Sequence, residues 1–255
     1  SVSLSNKHLL AGCYSIARLY EFDPVTGGTR AIGEFQDSST DPDSSFGTAV
    51  TVDGMRAVVG APALGTFSSG LVFDYQNHEF DQWQAGTPSA LPAATYNEYF
   101  GTGMASSGNL MLAGTGVSNY KGRVAAYTSH PSMARTQVFS ANDGVSGDCF
   151  GQAIAIDGNE AVVASYGSGS TTTRLPAVYL FSRSPSTGLW SQTRKIPLPG
   201  AAAERNPEPA VSPSGNLLAF SNVTKGALEN FEKDAPRSRP PPAETAPSFR
   251  PPAPA

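Results

Sequence analysis

FGTAVTVDGMRAVVGAP at residues 46–62, FGTGMASSGNLMLAGTG at 100–116 and FGQAIAIDGNEAVVASYG at 150–167 are three copies of one pattern. Each opens on a Phe-Gly pair, runs through an apolar segment to a Gly-centred turn, and returns as a second apolar segment. The Phe residues fall 54 and 50 positions apart. A period near 50 residues with strand-like content points to a propeller, a solenoid or another repeat array. In the third copy Ala153, Ala155 and Asp157 alternate with Ile154 and Ile156, and Ala161-Val162-Val163-Ala164 follows the turn Asp157-Gly158-Asn159-Glu160. Alternation, a tight turn and a short buried run predict a β-hairpin.

Outward from each hairpin the pattern continues. A third strand is predicted at residues 70–75, 122–127 and 177–181, and a fourth carries Trp83 in one copy and Trp190 to Ile196 in another. Four short strands per unit describe a propeller blade. Val2 to Asn6 and Leu9 to Gly12 match residues 50–54 and 57–60, so the chain opens with a blade that lacks only its Phe-Gly pair. At the other end, residues 210–220 repeat the first hairpin with no third or fourth strand predicted after it. The expected fold is therefore an all-β propeller of four-stranded antiparallel blades, at about 1–40, 41–95, 96–145 and 146–200, with a partial fifth at 201–224. Because the chain starts and stops inside repeats, a fragment of a longer protein is expected.

From residue 225 the repeat vanishes, and eight of the 21 residues from Ala235 onward are Pro. Such a segment buries no core, so 225–255 is expected to be a disordered tail. Within the repeats, each Phe is expected to fill the gap between adjacent blades. Each Gly beside it lets one backbone approach another, so Gly101→Val should destabilise the fold.

The chain has 17 Lys and Arg against 21 Asp and Glu, a formal net charge of −4, which offers no general attraction to phosphate backbones. No nucleic-acid partner is expected. No stretch reaches the roughly 20 apolar residues needed to cross a bilayer as a helix, so no transmembrane segment is expected. Cys13 and Cys149 lie at different phases of the repeat, which gives no reason to pair them. Of the three histidines only His78 has acidic neighbours, and none has a second ligand at zinc spacing. Asp53 and Asp157 occupy the same hairpin turn in different blades, where an Asp bonds its own backbone. Tyr96, Tyr99, Tyr120 and Tyr166 fall in connecting loops, where they could pack or present aromatic surface to a partner.

The run Asn142 to Gly151, continued by AIAIDGNEAVVAS, AVYLFSR and GLWSQTRKI, resembles the FG-GAP repeat of integrin-type β-propellers, and Gly60-Ala61-Pro62 keeps the second half of that name. The resemblance spans residues 1 to about 222. It implies a secreted or cell-surface module, hence an extracellular location, and a non-enzymatic role in binding or adhesion to a protein or glycan through the blade loops. It also raises calcium, since integrin-type blades often carry an Asp-rich loop ahead of a strand. The residues in the corresponding loops are Asp41 and Asp43, and Asp143 and Asp148. Neither loop has the full alternating Asp pattern, so no cofactor is expected, with calcium the one open possibility. The rival expectations are a propeller enzyme acting on carbohydrate, with two carboxylates converging on one mouth of the channel, and an inactive piece of a larger surface protein.

Overall fold

The structure is a computed structural model. It describes residues 1–5, 7–13, 15–37, 44–65, 68–78, 82–116, 121–128, 132–166 and 176–197, together with the backbone of three strands between 209 and 232. Among the described residues nineteen strands fall into five sheets. The first holds β1 (Val2–Ser5), β2 (His8–Cys13), β3 (Ile16–Phe22) and β4 (Thr29–Gln36). The second holds β5 (Val50–Asp53), β6 (Arg56–Ala61), β7 (Leu71–Asn77) and β8 (Trp83–Ala85), and the third β9 (Gly103–Ser107), β10 (Leu110–Gly114), β11 (Val124–Thr128) and β12 (Ala134–Phe139). The fourth contains β13 (Ile154–Asp157), β14 (Glu160–Ser165), β15 (Ala177–Arg183) and β16 (Trp190–Pro197), and the fifth β17 (Pro209–Val211), β18 (Leu217–Asn222) and β19 (Ala227–Glu232).

Each sheet is an antiparallel meander in sequence order, with no strand crossing between sheets. The first strands of successive sheets pack side by side: β1 on β5, β5 on β9, β9 on β13, and β13 on β17. This is the arrangement of propeller blades, with the first strand of each blade innermost. The sequence understates two elements. β12 is a fourth strand without the Trp that marks β8 and β16. β19 lies inside the segment assigned to the Pro-rich tail, so the expected tail boundary at residue 225 is too early. The Pro content that signals disorder begins only beyond this strand, whereas Ala227–Glu232 contains no Pro and pairs with all six residues of β18.

The core lies between blades rather than within one. Phe46, fully buried, packs among Leu10, Ala17 and Leu19 of the first blade and Val59 and Phe73 of the second. Phe100 fills the next junction against Val58 and Val72 on one side and Met111 and Tyr127 on the other. Phe150 fills the third against Leu112 and Val124 facing Val163 and Tyr179. The three Phe-Gly aromatics therefore wedge the three junctions, and fully burying each side chain contributes about 1.5–3 kcal/mol.

Close approach of backbones explains the glycines. Gly47, Gly101 and Gly151 have φ of 90°, 94° and 105°, a region that side chains avoid. A Cβ on Gly101 would lie 2.9 Å from the Leu71 carbonyl oxygen of the preceding blade. A second glycine row, Gly12, Gly60 and Gly114, receives the carbonyls of Gly47, Gly101 and Gly151 in turn, each too close to admit a Cβ. In the fourth blade the position is Ala164, and no Phe-Gly pair follows it in the sequence.

Polar links run along the inner strands: Ser3 Oγ accepts from Val52 N at 3.1 Å, Ser5 Oγ donates to Asp53 Oδ1 at 3.2 Å, and Ser107 Oγ accepts from Gly158 N at 3.0 Å. On the opposite side of β1, Val2 and Leu4 are 68% and 61% exposed, whereas Val50 and Val52, their equivalents in the second blade, are 6% and 3% exposed. Among the described residues no comparable contact joins β1 to β17.

Candidate functional site

In an antiparallel meander alternate connections lie at opposite ends of the sheet. The loops ahead of each Phe-Gly pair therefore share one end of the array with the connections between second and third strands. The turns between first and second, and between third and fourth, lie at the other. The loops ahead of Phe46, Phe100 and Phe150 form the candidate site.

Their construction repeats. The residue before each Phe is left-handed without being glycine: Ser45, Tyr99 and Cys149 have φ of 56°, 49° and 53°. Such backbone costs of order 1–3 kcal/mol and persists only where its surroundings fix it. The residue before that one is polar and buried in each loop: Ser44, Glu98 and Asp148 are 0%, 6% and 2% exposed. Ser44 O accepts from Ala63 N, tying the loop to the end of β6. Glu98 forms a forked pair with Arg123 Nη2, at 2.7 Å to Oε1 and 2.5 Å to Oε2, while Arg123 Nη1 donates to Pro92 O. Asp148 Oδ2 accepts from Val145 N at 2.8 Å, and its carbonyl accepts from Ser165 Oγ at 2.7 Å. Glu98 and Asp148 thus anchor strained turns through their side chains, and Ser44 does so through its carbonyl. The outer parts of the second and third loops face solvent, where Tyr96 is 54% and Val145 43% exposed.

Of the sequence-singled acids, Asp143 sits on the outer part of the third loop. Its Oδ2 lies 2.5 Å from Lys195 Nζ on β16 and its Oδ1 accepts from Tyr179 Oη on β15 at 3.0 Å. The ammonium also stands 5.3 Å from the centroid of the Tyr179 ring, and Asn142 N donates to Gln192 Oε1 at 2.9 Å. The hydrogen bond from Lys195 holds the Asp143 carboxyl below its usual range. Burial alone would lower the Lys195 ammonium, but its bonds to Asp143 and Tyr179 outweigh that and raise it. Asp148 is turned into its own loop, so these two acids serve different partners. Asp41 and Asp43 lie outside the described residues, as do Tyr120 and His130. Among the described residues no three of His, Cys, Asp and Glu gather as a metal-holding group.

Asp53 and Asp157 lie on the first hairpin turns of the second and fourth blades, with Ser107 of the third blade at the intervening position. His8 is buried against Trp83, ring centroids 5.6 Å apart, with Nδ1 bonded to Gly54 O, and His78 is exposed. Cys13 is exposed and Cys149 buried, both as free thiols. Burial, reinforced by the Asp148 charge, pushes the Cys149 thiol up to about 11. Sequence reasoning missed Glu98–Arg123 and Lys195–Asp143 as pairs, because each joins a loop to a strand 25 or 52 residues away. Repeat phase alone could have flagged Ser44, Glu98 and Asp148 as one position.

These blades and loops define a β-propeller-type module. The family model described as FG-GAP repeat matches residues 134–181, from β12 to the middle of β15. That stretch thus carries an FG-GAP repeat, and its Phe-Gly pair is the one that recurs at Phe46 and Phe100. Among solved structures it is similar to a protein from Bacteroides uniformis provisionally named as a 6-phosphogluconolactonase, at 16% identity and a TM-score of 0.53 over 90% of this chain and 68% of that one. A protein from Bacteroides fragilis with the same provisional name gives 14% identity and a TM-score of 0.59 over 91% and 65%. A functionally unknown protein from Desulfotomaculum acetoxidans gives 13% identity and a TM-score of 0.61 over 91% and 64%. At such identities the likeness is one of fold, and this chain spans about two thirds of each of those chains. No curated protein matches it in sequence. No helix among the described residues is long and apolar enough to cross a membrane.

Proposed function

We propose that this chain is a non-enzymatic, extracytoplasmic binding or scaffold module that recognises a protein or glycan through the loops ahead of its Phe-Gly pairs. The observation that carries this reading is that buried Glu98 and Asp148 anchor strained loops at the same repeat phase, leaving Tyr96 and Val145 exposed at one end of the array. Loops held on a rigid sheet scaffold are where recognition concentrates, and exposed aromatics supply contact area at low entropic cost. The rival reading, a carbohydrate-processing enzyme, needs two carboxylates within about 5–10 Å of each other.

The test is a glycan array and an array of extracellular protein domains, probed with the wild-type chain and with Tyr96→Ser/Val145→Ser. A ligand bound by the wild type and lost in the variant, at unchanged melting temperature, supports the reading. Ligand binding indifferent to both substitutions refutes the loop assignment. Hydrolysis of 6-phosphogluconolactone above background refutes the non-enzymatic one.

A further inference from the structure

The first three junctions are closed twice over. A fully buried Phe wedges each one, and the carbonyl of the glycine beside it seats against Gly12, Gly60 or Gly114 of the preceding blade, too close to admit a Cβ. The junction between the fourth and fifth sheets has neither device. The glycine position is Ala164, so the methyl that the other three seats exclude is present. The chain from Ser191 to Ala219 contains no aromatic residue, so no ring stands ahead of β17 where the second, third and fourth blades have theirs. The fifth sheet is nevertheless seated, with β17 packed on β13 and β14. Alternation along the strands turns Ala161, Val163 and Tyr179 to the third blade and Val162, Val178 and Leu180 to the other side, where they are 3%, 0% and 7% exposed. The fifth sheet thus meets an aliphatic row that offers no glycine seat.

We propose that this junction is a built-in release point: the sheet β17–β19 leaves the fourth blade as one unit while the first four blades stay assembled, uncovering Val162, Val178 and Leu180. In a stack of repeats each unit touches only its neighbours, so stability divides into sheet terms and junction terms, and the junction with the fewest devices opens first. β18 pairs with β17 on one side and β19 on the other, so the three strands move together. A buried aromatic shifts such an equilibrium by roughly ten- to a hundredfold. Place in the array does not account for the difference, because the first blade is the other outermost described sheet and its junction keeps both devices, Gly12 and Phe46. The inference holds whether or not the loop face binds a protein or glycan.

Hydrogen exchange of the native full chain tests it. The amides of β18 should open at least about tenfold more often than those of β2, β6, β10 and β14, the corresponding second strands, each of them paired on both sides. Exchange of β18 in step with β14 overturns the proposal. So does β2 opening as readily as β18, since release would then belong to any outermost sheet and not to the missing devices. Leu180→Ala should raise the opening of β18 by a further factor of about ten or more and leave β6 and β10 as they were, which also shows that the variant is folded. Unchanged exchange of β18 in that variant shows that the fifth sheet does not rest on this row and refutes the seat. Failure of ligand binding on the arrays would leave these readouts unaffected.

Discussion

Replacing Gly60 by Ala tests whether the blades are held apart by backbone contact alone. Gly60 has no positive φ, so its glycine is required only by what it faces: an added Cβ would stand 3.0 Å from the Gly101 carbonyl carbon, 3.3 Å from its Cα, and closer still to its oxygen. All three atoms are main chain and cannot rotate away. Restoring ordinary contact moves the second and third blades apart beside Phe100, and a gap of about 0.5–1 Å forfeits roughly a quarter to a half of each dispersion contact across it. Overpacking of a filled core costs about 1–3 kcal/mol, and an immovable backbone partner places Gly60→Ala at about 2–3 kcal/mol. For an array of this size each kcal/mol lowers the melting temperature by about 2–4 °C, so a fall of roughly 4–12 °C is expected. The control is Gly33→Ala on β4, where a Cβ would meet nothing nearer than 3.6 Å. There the stiffer chain should gain about 0.4–1 kcal/mol. Thermal and urea melts of the three proteins decide the matter. A Gly60→Ala melt as high as that of Gly33→Ala would refute the account of the junction.

The open side of the first blade gives a second comparison: Leu4→Ala should change stability by less than about 0.5 kcal/mol, and Val52→Ala at the equivalent buried position should lose roughly 2 kcal/mol. Equal losses would show that the Leu4 face is covered in solution. Alkylation at pH 8 should modify exposed Cys13 and spare Cys149, whose raised pKa and burial slow it by more than about a hundredfold until the chain unfolds. Simultaneous loss of both thiols would contradict the burial. The pH profile follows from carboxyls whose folded pKa is depressed: Asp143 by Lys195, Glu34 by its bond to Arg18, and Glu21, drawn down to about 2 by Lys7 and Arg30. Their stabilisation is present above the ordinary carboxylate pKa of about 4 and lost as pH falls through the folded values. Lys195, raised in the fold, contributes below about pH 10.4 and is lost as pH rises past its folded pKa. Melting temperature should therefore be flat from about pH 5 to 9 and fall on both sides, and a rise between pH 5 and 3 would refute the assignment.

The sequence alone determined the blades. Phe-Gly, turn glycine and apolar run recur because each blade must bury one face against the next. A junction that repeats in space therefore writes a period into the chain. Repeat phase likewise marked the loops ahead of Phe46, Phe100 and Phe150 as corresponding ones, and the meander of the sheets put them at one end. The tertiary structure decided what those loops do with their charges. Asp143 and Glu98 read in the sequence as loop acids without named partners, and the structure sets Lys195, 52 residues on, beside the first and Arg123 beside the second. Local pattern carries information about strands because strand burial is periodic along the chain. Ion pairing between a loop and a distant strand has no period, so only the packing of the blade brings its partners together. β19 was hidden for a related reason: its place in the fifth sheet comes from pairing with β18, while its own residues carry little alternation.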